Sequence, residues 1–204
     1  MTSLPADDGP WLVVGLGNPE VRYAGNRHNV GAMVVDHLAA GAGQRFSLQR
    51  SLRADVVQGR LAPSGGQPGP RLLLAKPTSF MNESGGPVSA LVRFFSIPAA
   101  RVLVVHDELD IPPGDVRLKF GGGEGGHNGL RSISQSLGTK EYCRLRIGVG
   151  RPPGRMDAAD YVLKDFASQE RKELALVLVE AAQALDSVLR VGWERTQNLV
   201  NTHS

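Results

Sequence analysis

Val13-Val14-Gly15-Leu16-Gly17-Asn18-Pro19 is the stretch on which the fold turns. An apolar run that begins at Trp11 stops at a Gly-x-Gly-Asn-Pro turn, the pattern of a buried strand ending at the rim of a sheet. Tyr23 and then Arg27-His28-Asn29 follow. From Asn29, read as an N-cap, Val30, Met33, Val34 and Leu38 recur at helical spacing until Gly41. A strand that passes polar residues to a helix through a glycine turn opens an α/β unit, and ligands in such folds sit where the strands end.

The same alternation continues outward. Residues 51–61 and 71–75 read as a hairpin around the turn cluster 64–70. A second helix carries Val88, Leu91, Val92 and Phe95 on one face, has Pro87 in its first turn, and stops at Ile97-Pro98. Val102-Leu103-Val104-Val105 is a buried strand that delivers His106-Asp107-Glu108, and residues 115–120 alternate as a half-buried strand. The glycine-dense residues 121–129 precede a helix with Leu130, Ile133 and Leu137 on its core face and Gly138 as its stop. In residues 142–149, Cys143, Leu145, Ile147 and Val149 share one face and Arg144 and Arg146 the other, which makes Cys143 a small core residue. Ser168 is expected to cap a long final helix ended by Gly192. Strands alternating with helices, without repeats or a linker, predict a single α/β domain over residues 11–204, with a mostly parallel or mixed sheet, after a polar tail at residues 1–10.

Composition bounds the partners. The chain has 204 residues, 41% hydrophobic and 21% charged, as expected of an ordinary globular domain. No apolar run is long enough to span a bilayer, and the acidic start lacks the apolar core of a secretory signal, so no membrane role and a cytoplasmic location are expected. A single cysteine excludes an internal disulfide and a thiolate-rich metal site. Net charge is only +3, yet residues 115–155 hold eight Lys/Arg and three acids, a local +5. Such a block suits an anionic partner, nucleic acid first, and equally suits a solvated surface.

Four polar groups follow apolar strands: Gly17-Asn18, Met81-Asn82, Asp107, and the run from Gly121 to Asn128. If those strands are parallel, the groups share one crevice. There, a carboxylate at Asp107 bound to one nitrogen of His28 would fix the ring tautomer and leave the other nitrogen to take a proton. Ser79 and Ser84 lack a Gly-x-Ser-x-Gly setting, so activation of water is expected rather than an acyl-enzyme. Asn18, Asn82 and Asn128 can present amide donors to a carbonyl or oxyanion, or cap turns and helices. Gly15 to Glu20 begins like a dinucleotide loop but lacks its third glycine, and residues 121–129 lack a Gly-Lys-Ser/Thr ending. Backbone amides of that run can hold a phosphate at the start of the next helix. The histidines show no metal-ligand spacing, although His106 beside Asp107 keeps a minor metal reading open. Arg117, Lys119, Arg144 and Arg146 occupy the polar faces of alternating strands, positioned for a phosphate backbone or simply for solubility.

Together these blocks resemble the bacterial peptidyl-tRNA hydrolase family. The resemblance runs through Val14 to Pro19, Arg27-His28-Asn29, Lys76-Pro77 with Phe80 to Gly85, His106 to Asp110, Lys119 to Leu130, and Arg144 to Pro152. It implies a twisted mixed, largely parallel sheet packed between helices, and hydrolysis of the ester joining a peptide to tRNA. The activity would need neither metal nor cofactor and would reside in a monomer that recycles tRNA from abandoned translation. By the family pattern His28 activates water, Asp107 orients it, and Asn18 holds substrate or water. Tyr23, Phe80, Met81, Asn82 and Asn128 would contact the peptidyl-adenosine end of the CCA terminus. Lys119 and Arg146 would clamp phosphates of the acceptor region, with Arg117 in a similar basic position. Glu20 departs from the pattern, standing where the family commonly has glycine. A different class, an RNA-binding relative without hydrolase activity, shares the fold and is distinguished by whether peptide is released.

Overall fold

A computed structural model describes residues 9–64 and 68–202. Most of the expected N-terminal tail and the tip of the 64–70 turn lie outside the described residues. Seven strands form one sheet in the order β2-β3-β4-β1-β5-β7-β6. These are β1 (Trp11–Gly15), β2 (Ser47–Gln49), β3 (Ala54–Arg60), β4 (Arg71–Pro77), β5 (Val102–Glu108), β6 (Val116–Phe120) and β7 (Cys143–Gly148). The four central strands run parallel, with β1 between β4 and β5 and β7 beyond β5. Antiparallel pairs close both edges: β2 against β3 and β3 against β4 on one side, β6 against β7 on the other.

Helices α1 (Val30–Gly41), α5 (Glu170–Val191) and α6 (Trp193–Thr202) cover one face, and α2 (Gly85–Phe94) and α3 (Asn128–Leu137) cover the other, with the short α4 (Ala158–Val162) beside the site. Alternation along β1 and β5 feeds both cores. Val13, Leu103 and Val105 pack with Val34, Leu185 and Trp193, whereas Leu12, Val14 and Val104 pack with Val88, Leu91 and Ile133. The sheet is therefore buried on both sides, which explains its continuous apolar central strands. Among the described residues no helix is long and apolar enough to cross a membrane.

The strand order reverses at β1, with β4 beside it on one flank and β5 on the other, all three strands parallel. That switch opens a crevice beyond the carboxyl end of β1. Gly15, Gly17 and Gly31 let α1 approach it. A Cβ on Gly31 would lie 2.1 Å from the Val105 carbonyl oxygen, and one on Gly17 would lie 2.9 Å from the Asn29 side chain. Neither Gly15 nor Gly17 takes a positive φ, so they supply room rather than an unusual turn.

Several expectations are corrected. Asn29 does not cap α1 with its side chain, because its amide is used on the backbone of Asn18. Ser168 does not cap α5; Glu170 reaches back to accept from the Ala167 N–H at 2.6 Å and so secures that end. The long helix is not the last, since α6 resumes after Gly192 at φ 100°. Ser51 and Leu52 belong to a 3₁₀ helix (Arg50–Leu52) rather than to β3, and Arg53 follows it at φ 52°. Cys143 is buried as expected, and burial pushes its thiol pKa up.

Candidate active site

Two segments that flank the β1 turn are clasped side chain to backbone. The Asn18 N–H donates to Asn29 Oδ1 at 2.9 Å, and Asn29 Nδ2 donates to the Asn18 carbonyl at 3.0 Å. Asn18 Oδ1 in turn accepts from the Met81 N–H at 2.9 Å. With its oxygen engaged, Asn18 has its Nδ2 hydrogens left for a ligand. It lines a cavity of about 660 Å³ together with His28, Met81, Asn82, Asp107, His127 and Asn128. Leu109 and, from α4, Ala158, Ala159 and Val162 also line it.

His28 and Asp107 meet as anticipated. His28 Nδ1 lies 2.9 and 3.0 Å from the two carboxylate oxygens of Asp107, and the Asp107 side chain is 3% exposed. His127 completes the group: its Nε2 is 3.0 Å from Asp107 Oδ1, and its Nδ1 accepts from the N–H groups of Gly129 and Leu130. Those contacts assign the tautomers. His127 carries no proton on Nδ1, so its Nε2–H donates to Asp107. His28 donates through Nδ1–H, and the ring lines the cavity with no hydrogen bond to Nε2 among the described residues. Burial works against ionisation of Asp107, but His28 and His127 overcome it and hold its carboxyl well below the usual carboxylate range.

His28, Asp107 and His127 lie close enough together to suggest a metal site. For His127 to ligate through Nε2, its proton would have to move to Nδ1, which would break the cap on α3. The hydrogen-bonded set fits proton transfer better than metal ligation. His106 stands apart from it. Its Nδ1 lies 2.7 Å from the Asp107 carbonyl oxygen, and its ring packs edge-on to His127 at 5.0 Å.

Two features of the glycine-rich run differ from expectation. Strand β6 is antiparallel, so Gly121 leaves it at the end of the sheet remote from the site. The run must climb back, with positive φ at Gly121, Gly122, Gly125 and Gly126. Arg144 guides it, donating to the carbonyls of Gly123 and Gly122 at 2.6 and 2.8 Å. Arg144 is 2% exposed and is no phosphate contact, contrary to its reading from the strand pattern. Nor can the first amides of α3 hold a phosphate, because His127 Nδ1 already accepts from them.

The remaining expected residues divide into three groups. Met81 and Asn82 sit in the 3₁₀ turn after β4, Met81 buried and Asn82 exposed, and Asn128 opens α3. Tyr23, under the Arg22 guanidinium, and Phe80, 45% exposed, do not line the cavity. Arg117, Lys119 and Arg146 form a separate strip on β6 and β7. His127 is the residue that sequence reasoning missed. Its one signal was a polar side chain immediately before the helix that begins at Asn128, the position of an N-cap.

A sequence model described as peptidyl-tRNA hydrolase matches residues 12–204. The chain is 63% identical to the peptidyl-tRNA hydrolase of Frankia alni, with 97% of each chain covered. It is 57% identical to that of an Arthrobacter species, over 94% of this chain and 96% of the other. The crystal structure of peptidyl-tRNA hydrolase from Acinetobacter baumannii superposes with a TM-score of 0.84 at 33% identity, covering 94% of both chains.

Proposed function

This chain belongs to the peptidyl-tRNA hydrolase family and hydrolyses peptidyl-tRNA, freeing tRNA for reuse; on that premise we propose that His28 is the base that activates the attacking water. The observation that carries the assignment is the placement of His28 in the cavity lining, with Nδ1 bound to Asp107 and no hydrogen bond to Nε2 among the described residues. Water between Nε2 and the ester loses a proton to His28 as its oxygen bonds to the carbonyl carbon. The buried Asp107 carboxylate stabilises the resulting imidazolium. The tetrahedral intermediate then collapses, the bond from carbon to the ribose oxygen breaks, and His28 returns the proton to that oxygen. The Asn18 Nδ2–H groups donate to the substrate carbonyl as it gains negative charge, with Asn82 and Asn128 beside them.

In this reading the CCA end enters past Tyr23, Phe80 and Met81, and the acceptor region lies along Lys119, Arg146 and Arg117. Residues 11–204 act as one cytoplasmic, monomeric catalytic unit, and neither metal nor cofactor takes part. His28→Ala is expected to abolish release of an N-blocked amino acid from tRNA while the far-UV circular dichroism spectrum is retained. Wild-type turnover is expected to persist in EDTA. Near-normal turnover by His28→Ala would refute the mechanism.

A further inference from the structure

Strands β6 and β7 place four cations on one face. Arg117 lies directly opposite Arg146, and Lys119 directly opposite Arg144. Like charges at facing positions of an antiparallel pair repel, so the arrangement calls for anions. Arg144 is absorbed by the glycine carbonyls. Among the described residues Arg117 pairs with its near neighbour Asp115, at 3.2 Å and partly exposed. Lys119 has no carboxylate partner among the described residues. Arg146 is held by a carboxylate on the neighbouring strand. Its Nε and Nη2 lie 3.1 and 3.0 Å from Glu108 Oε2, and the Glu108 side chain is 12% exposed. Glu108 is itself fixed, because its Oε1 accepts from the Asp110 N–H at 3.2 Å.

The seat at Arg146 is thus filled in advance by an oxyanion of the protein itself. We propose that Glu108 is a specificity-determining residue, an internal competitor that an RNA phosphodiester must displace from Arg146 before the acceptor region docks. This rests on the reading of Arg146 as a phosphate contact. A lone small anion gains one guanidinium and strands the Glu108 carboxylate, so it competes poorly. A polyanion gains Lys119 and Arg117 in the same event and offsets the displacement. The pair thereby favours a chain of phosphates over isolated anions.

The test is equilibrium binding of deacylated tRNA across a salt series, with the wild type, Glu108→Gln, Arg146→Gln and the double variant. Glu108→Gln keeps an acceptor for the Asp110 N–H, and it is expected to tighten binding roughly two- to fivefold, the scale of a partly exposed ion pair. Its salt slope is expected to steepen by about one phosphate's worth, since no internal carboxylate is left to recapture a cation. The gain should vanish in the Arg146→Gln background. Glu108→Ala is expected to act in the same direction and serves if the glutamine variant does not fold. Unchanged or weaker binding by Glu108→Gln, with Arg146→Gln clearly weakened, would overturn the competitor role and make Glu108 a support for Arg146. Wild-type binding by Arg146→Gln would instead remove the phosphate reading on which the proposal stands.

Discussion

His127 ties two tasks to one ring, capping α3 through Nδ1 and donating to Asp107 through Nε2. The cap enforces the tautomer, so the donor faces the carboxylate without a further partner. His127→Asn separates the two tasks. Asparagine caps helices well but cannot reach Asp107, so the cap is kept while the buried carboxylate loses one donor, at an expected cost of about 1–3 kcal/mol in stability. Losing one hydrogen bond to a charged group is expected to lower kcat about 10- to 100-fold. Steady-state kinetics at a temperature where the thermal melt shows the variant fully folded would decide it; a wild-type kcat there would reduce His127 to a structural cap. His28 and Asp107 were legible because motif and chemistry both pointed to them. His127 was hidden in a run whose glycines read as a loop, and its second contact lies 20 residues away on β5.

At the scale of elements, the segment between α4 and α5 holds the turn that carries His28. Asn26 bridges to Asp165, and the Phe166 N–H donates to the Gly25 carbonyl at 3.1 Å. Arg27, 7% exposed, donates to the Lys164 and Asp165 carbonyls and to both carboxylate oxygens of Glu170. Its guanidinium also lies over the rings of Tyr161 and Phe166, at 4.4 and 5.4 Å. Glu170→Gln leaves a mostly buried cation short of its counter-charge, and an expected cost of about 1–3 kcal/mol should appear in denaturant unfolding. A change within experimental error would mean that the carbonyls and rings suffice. Helices α1, α2, α3 and α5 were legible from apolar spacing, although their caps were not. Asn29 and Ser168 are ordinary capping residues drawn elsewhere by partners that only the folded chain supplies. Strand β2 has only three residues, two of them exposed, and offers no alternation to read.

Across the whole molecule, burial of polar groups makes stability depend on pH. His106 is 1% exposed. Burial, aided by the nearby His127 and Arg144 and opposed by Asp107, holds its pKa well below the ordinary histidine value. The folded protein therefore keeps His106 neutral in mild acid, whereas the unfolded chain takes up a proton below about pH 6.5. The unfolded state binds more protons there, so stability falls as pH drops below that value, by up to about 1.4 kcal/mol per pH unit from this group. His106→Phe is expected to flatten the decline between pH 6.5 and 5 in chemical denaturation, and parallel wild-type and variant curves would exclude His106 as its source. Asp107, with its pKa depressed in the folded state, contributes stability above the unfolded carboxylate value and loses it only in stronger acid. By itself the sequence determined the α/β class, the central strands, the main helices and His28 and Asp107 as candidates, because apolar period and residue chemistry are local properties; their contact across 79 residues needed the parallel sheet. Tertiary structure alone decided that β6 runs antiparallel, that Arg144 is buried under the glycine run while Arg146 meets Glu108, and that His127 shares Asp107 with His28. Those outcomes depend on which distant groups satisfy each buried donor and charge, and no spacing along the chain encodes that choice.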